Sequence, residues 1–191
     1  MRDNRTRDQI IAAADQLFYQ KGYEHTSFAH IADAVQISRG NFYYHFKTKD
    51  EILATVIERR MANTQALLEQ WEREAESPEA RIRCFIHILM MNRTKIERYG
   101  CPVGTLCSEL AKLDHAAKGE ANKLFTLFRS WLSKQFVLLG FGKKSDDMSM
   151  HILARSQGVA TLANAFPDRK FIDREVEQMC AWVTESVRAI N

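Results

Sequence analysis

No stretch of this sequence is long and apolar enough to cross a bilayer. The richest, FIHILMM at Phe85–Met91, is seven residues where about 20 are needed. Prolines number three and glycines eight among 191 residues, with no internal repeat and no low-complexity run, which excludes a fibrous chain. Cysteine is scarce as well: Cys84, Cys101, Cys107 and Cys180 are scattered, which suits free thiols in a reducing compartment better than a disulfide framework. The opening MRDNRTRDQ is charged and leads into no uninterrupted apolar segment, so it does not read as a secretory leader and a cytoplasmic protein is expected. An excess of one charge is lacking too, since a net charge of +3 is weak support for a nucleic-acid partner by itself. There is no HExxH, no phosphate-cradling glycine loop and no Gly-X-Ser-X-Gly elbow. Cys101, Cys107 and His115 do not show a zinc spacing. Neither an enzyme nor a cofactor nor a metal is expected.

What is present is helical periodicity nearly throughout, with no segment of period two, in a chain that is 46% hydrophobic and 27% charged. An all-α protein of about nine helices follows. The first helix runs from about Thr6 to Gln20 and places Ile10, Ile11, Ala14, Leu17 and Phe18 on one face. Gly22 suits the left-handed cap after it. Thr26 or Ser27 can cap a short second helix that buries Phe28 and Ile31, and Ser38 a short third one ending near Phe46. KTKDE opens a long fourth helix with Ile52, Leu53, Val56 and Ile57 inward. Ser77 and Pro78 start a fifth that carries Ile82, Phe85, Ile86, Leu89 and Ile96 until YGCPVG breaks it. TLCSELAKL is a short helical piece, GFGKKSDD a loop, and two amphipathic helices near 147–165 and 168–190 finish the chain.

Two short helices joined by a tight turn and backed by a longer one describe a helix-turn-helix, whose second helix enters the major groove with its N-terminal side chains toward the bases. Here that helix is SRGNFYYHF. Residues 39–49 hold three Lys/Arg and no acid, although residues 1–49 as a whole hold seven Lys/Arg against five Asp/Glu. A DNA contact must therefore be local and geometric. Arg39 can fork onto guanine and Asn41 can pair with adenine, while Gly40 lets backbone approach backbone. Phe42 and Phe46, four apart, are expected to turn inward. Tyr43, Tyr44, His45, Lys47 and Lys49 then meet phosphates or a thymine methyl, and the hydroxyls of Thr26 and Ser38 can serve a phosphate besides capping. The same aromatic residues could equally be core in a small-molecule binding or interaction module without DNA binding.

The segment TSFAHIADAVQISRGNFYYHFKTKDEIL resembles the DNA-binding signature of the TetR (tetracycline-repressor) family of bacterial transcription regulators. The matching features are the threonine before the second helix, IADA, Ser-X-Gly opening the third, FYYHF, and Lys-X-Lys before an apolar fourth helix. IIAAADQLFYQKGYEHTS matches the family pattern of helix one, and the resemblance covers roughly residues 6–57. Two departures stand out: Val35-Gln36-Ile37 replaces the usual Ala-Gly-Val turn, and Asn41-Phe42 replaces Thr-Leu.

The resemblance implies a reader over residues 1–49 and a ligand-binding, dimerising domain over 50–191. It implies a repressor that binds a near-palindromic double-stranded operator as a homodimer and leaves it when a small-molecule inducer binds. The last two helices are the expected interface, the penultimate one carrying Ala154, Ser156, Gly158, Ala160 and Ala163. Phe85, Leu89, Met90, Phe125, Phe128 and Trp131 are the expected lining of the inducer cavity. Cys101 and Cys107, in a GCPVGTL segment that resembles one branch of TetR-like regulators, raise a redox or electrophile response as an alternative to two plain buried thiols.

Overall fold

The structure is a computed structural model that describes residues 2–166, 168 and 170–190, with backbone only for 2–4. Ten α-helices and one 3-10 turn make up its regular structure among the described residues. They gather into two compact units that are not sequential: residues 1–63 with 102–124, and residues 64–101 with 125–191.

The first unit holds α1 (Arg2–Lys21), α2 (Phe28–Val35), α3 (Arg39–His45), the start of α4 (Lys49–Glu74), α7 (Pro102–Lys112) and the first turns of α8 (Lys118–Leu138). Ile10, Ile11, Ala14 and Phe18 are buried along α1 as their spacing requires, and Leu17 is half-buried. α1 packs on α2 and on α7. Ser27 is the cap of α2; its hydroxyl accepts from the His30 N–H while His30 Nδ1 accepts from the Ser27 N–H, a capping box in which histidine does the work of the usual glutamate. α4 opens the same way. The Thr48 hydroxyl accepts from the Glu51 N–H, and the Glu51 carboxylate accepts from the Thr48 N–H at 3.3 Å and from the Lys47 N–H at 2.7 Å.

Between α2 and α3 the chain reverses at Gln36, which sits in the left-handed region at φ 56°, ψ 44°. The Gln36 N–H donates to Asp33 O and the Ile37 N–H to Ala32 O, the paired bonds of a helix end closed by a left-handed residue. A side chain at this position thus leaves the turn intact, and its cost is backbone strain of about 1–2 kcal/mol.

The second unit holds the end of α4, α5 (Pro78–Met91), α6 (Arg93–Tyr99), most of α8, a 3-10 turn (Gly142–Lys144), α9 (Ser145–Ala165) and α10 (Phe171–Arg188). Ser77 caps α5, accepting from the Ala80 N–H with Pro78 in the first turn. The single fifth helix expected from the apolar spacing is two helices. At Asn92 both the backbone N–H and the side-chain amide donate to Ile88 O, at 3.0 and 3.1 Å, so the side chain competes for a helix carbonyl and the axis breaks. Ile96 still reaches the core, from α6. α9 begins at Ser145, inside the stretch expected to be loop, because GKK coils into the 3-10 turn that leads into it. α10 packs on α5 and α9 and buries Ile172, Val176, Met179 and Val183 at helical spacing. No helix among the described residues is long and apolar enough to cross a membrane.

Replacing Gln36 with glycine removes the left-handed strain but adds freedom to the unfolded chain, about 0.5–1 kcal/mol against it. Gln36→Gly is therefore expected to raise unfolding stability by roughly 0.5–1 kcal/mol, with an unchanged denaturant slope in a urea titration. A loss of stability would show that the glutamine side chain makes a compensating contact.

Candidate nucleic-acid interface

α3 is seven residues long, and helices shorter than about 12 residues are marginal on their own. Two aromatic anchors hold it. Phe42 and Phe46 are 1% and 2% exposed, and each buried ring contributes about 1.5–3 kcal/mol. Phe28 of α2 lies 4.9 Å from Phe42 and 5.4 Å from Tyr43, ring centre to ring centre, and is half-buried although its spacing read as core. The Arg7 guanidinium covers the Phe46 ring at 4.8 Å. Ser38 caps the helix, accepting from the Asn41 N–H.

With the anchors turned in, the opposite face is open. Ser38, Arg39, Gly40, Asn41, Tyr43, Tyr44 and Lys47 are all exposed, Tyr44 by 68%. His45 is half-buried, edge-on to the Tyr44 ring. A methyl added at Gly40, in the first turn of α3, would meet no atom within 4 Å, so nothing inside the chain requires glycine there, and glycine in a helix costs about 0.5–1 kcal/mol relative to alanine.

Two expected contacts are placed differently. Thr26 is 1% exposed and its hydroxyl donates to Gly22 O at 2.7 Å, so it closes the α1–α2 turn from within. The Lys49 ammonium turns onto the same turn, donating to Tyr23 O at 3.0 Å and Glu24 O at 3.4 Å and covering the Tyr23 ring at 4.2 Å. Both are spent on holding the reader together, a role that residue type and spacing could not reveal.

The sequence also missed what α7 does. Glu109 accepts from the Tyr23 N–H at 2.8 Å and the Glu24 N–H at 2.9 Å, fixing the α1–α2 turn. Gly22 adopts φ +88°, a conformation that favours glycine, and a Cβ there would lie 2.8 Å from a Glu109 oxygen, so a larger residue would also have to shift the carboxylate that caps the turn. Arg60 of α4 bonds Asp15 of α1 through Nε at 2.7 Å and donates to Pro102 O of α7 at 2.7 Å. His115, just past α7, places Nε2 3.3 Å from the Tyr23 hydroxyl, which donates to Asp50 at the start of α4. Burial and the Asp50 carboxylate push the Tyr23 phenol well above its usual range. The Tyr23 hydrogen bond, seconded by the nearby His115, holds the Asp50 carboxyl below the usual carboxylate range. Only hindsight offers a signal for these partners, since Glu109 and His115 lie far along the chain.

The model for bacterial regulatory proteins of the tetR family matches residues 10–56. An HTH-type transcriptional regulator in the lacX 3′ region of Lactococcus lactis subsp. lactis is 30% identical over 172 residues, 88% of each chain. The chain belongs to the tetR family. It is a DNA-binding regulator of transcription with a helix-turn-helix unit and a helical remainder. TcmR of Streptomyces glaucescens is 47% identical over 53 residues, 28% of this chain and 24% of TcmR. A TetR transcriptional regulator from Legionella pneumophila superposes with a TM-score of 0.80 at 25% identity, over 93% of this chain and 95% of that one. A TetR-family regulator from Agrobacterium tumefaciens, at TM-score 0.83 and 18% identity over 94% and 97%, shares the fold.

Two outcomes are expected. Gly40→Ala is expected to stabilise the fold by about 0.5–1 kcal/mol and yet weaken operator binding, because the added methyl stands where DNA backbone would approach; equal or tighter binding would contradict that approach. Asp50 has a depressed folded pKa, so its contribution is present above its unfolded value of about 3.9 and is lost as pH falls through the folded value. In Tyr23→Phe the Asp50 carboxyl signal, followed by NMR, should titrate closer to 3.9 and the acid loss of stability should shrink.

Proposed function

We propose that this TetR-family regulator is a repressor that grips a near-palindromic operator as a homodimer and releases it when a small molecule occupies its second unit. The observation that carries the DNA half is the open face of α3. Arg39, Asn41, Tyr43 and Tyr44 stand exposed around a glycine that no internal contact explains. Arg39 and Asn41 read bases, while Ser38, Tyr43, Tyr44, His45 and Lys47 position the helix on phosphates and sugars. Thr26 and Lys49 act from behind by fixing the α1–α2 turn. The regulator works in the cytoplasm, where its operator is.

One short helix touches few base pairs, so useful specificity needs two of them. The outward face of α9 supports pairing through α9 and α10. Ala154, Gly158 and Leu162 recur every fourth residue and are exposed, and a methyl at Gly158 would meet nothing within 4 Å. Ser156, Ala160 and Ala163, also small, face the core of their own unit, so the proposed contact rests on the other two. Trp182 of α10 stacks on His151 of α9 at 4.3 Å.

For the inducer, Phe85, Leu89 and Trp131 are buried in the second unit's core, with Phe125 and Phe128 half-buried against it and the Phe85 and Phe128 rings 5.4 Å apart. A ligand that displaces the two partly exposed rings of α8 would enter there. Met90, 39% exposed, stands apart in a surface groove with Met91 and Arg93 and leaves the set. Full release asks the ligand to prefer the non-binding form by about 5.5 kcal/mol. A thiol-reactive inducer is a second reading, favoured by one placement. Cys101 is half-buried immediately before α7, the helix that carries Glu109, whereas Cys107 is enclosed within it.

The test is selection from a randomised duplex library, followed by titration of the winning site at two salt concentrations. A near-palindrome is expected, with affinity falling steeply with salt and lost in Arg39→Ala/Tyr43→Ala. Enrichment of nothing by folded, reduced protein would refute operator binding. Gly158→Glu should give monomers by sedimentation with helix content intact and should cost operator affinity; a persisting dimer would move the interface elsewhere.

A further inference from the structure

The recognition face carries a notch that the polar contacts above leave unused. Ser27, Phe28, Ala29 and Ala32 on one side and Arg39, Phe42 and Tyr43 on the other enclose about 200 Å³. Small-molecule pockets span about 300–1,000 Å³, so this space fits a fragment of something larger. Its walls are mostly carbon. The Phe28 ring closes against Phe42 and Tyr43, Ala29 and Ala32 add methyls, and the exposed Arg39 marks its polar edge. Arg39 and Tyr43 lie one turn apart on α3, so the notch is continuous with the face that meets DNA.

The base edges of a major groove are hydrogen-bond donors and acceptors, with one apolar group among them, the C5 methyl of thymine. We propose that the notch receives a thymine methyl, with Phe28 and Ala29 of α2 as the specificity-determining wall. The thymine then neighbours the base that Arg39 reads, and α2 takes part in sequence recognition as well as in support. The half-exposure of Phe28, whose spacing called for full burial, gains a reason: its ring floors the α3 anchor and walls the notch at once. This rests on the reading of α3 as the DNA-reading helix.

The test works on the DNA first. In the selected operator each thymine is replaced singly by uracil, which deletes only the methyl, and affinity is measured by fluorescence anisotropy. One thymine per half-site is expected to cost roughly three- to fivefold on replacement, the worth of one buried methyl. Ala29→Leu fills the notch from α2 while keeping the Phe28, Phe42 and Tyr43 side chains themselves, and it should bind the thymine and uracil operators alike. Equal affinity for every uracil operator would overturn the proposal, whatever the variant does. So would undiminished discrimination in Ala29→Leu. A folded protein that binds no duplex at all would instead sink the operator reading itself, an outcome distinct from binding without methyl discrimination.

Discussion

A seven-residue helix cannot hold its own shape in water, and everything α3 presents depends on what is packed behind it. Phe42 and Phe46 are that constraint. Their burial sets the rotation of α3, and the rotation decides which side chains face out. With Phe42 inward, Arg39 and Tyr43 lie one turn apart on the outer surface and Gly40 sits open beside them. The contribution of two buried rings, about 3–6 kcal/mol together, is a large share of the 5–15 kcal/mol that a domain of this kind has in all. Stability and recognition are thus carried by alternate residues of one short helix.

The anchors need a fixed floor, and the floor is held from a distant part of the chain. α1 turns into α2 through Gly22 at φ +88°, a conformation that favours glycine, with the Glu109 carboxylate close by. The turn's exposed amides would otherwise look for water. Glu109 of α7 accepts two of them, Thr26 closes the turn from inside, and Lys49 covers it from α4. A charged acceptor on a backbone N–H makes a stronger bond than a neutral one, so the α1–α2 geometry is firmly coupled to α7. The floor on which α3 rests is thus held in part by α7, within the same compact unit.

Much of this was legible from residue spacing, and the exceptions have physical causes. The caps at Ser27, Ser38 and Ser77 are local, made within three residues, and local pattern finds them. The burial of Ile10, Phe18, Ile31, Phe42 and Phe46 follows from helical period. The break at Asn92 escaped, because a side chain that turns back on its own helix leaves the apolar spacing of Ile96 undisturbed. Thr26 reads as a cap that could also serve a phosphate and Lys49 as a phosphate contact, because a hydroxyl and an ammonium suit those roles; their partners here are backbone carbonyls, which no sequence pattern displays. The clamp from Glu109 and His115 was invisible for the same reason at longer range, bridging 86 and 92 residues of chain. The small residues of α9 looked alike in sequence, and only packing separates inward Ser156, Ala160 and Ala163 from outward Ala154 and Gly158.

Gly40 and Gly158 make a final point about reading function from stability. Each lies within a helix, each is exposed, and at each a methyl would meet open space. Alanine at either position would strengthen its helix by about 0.5–1 kcal/mol. The chain forgoes that gain at one residue on the face proposed for DNA and at one on the face proposed for a second copy. Gly22 is the contrasting case, since its conformation and the nearby Glu109 oxygen account for it entirely within the molecule. A glycine with an internal reason explains the fold. Gly119, in the first turn of α8, is exposed and equally open, so open space at a helix glycine assigns no partner by itself; at Gly40 and Gly158 the proposed faces supply the reason.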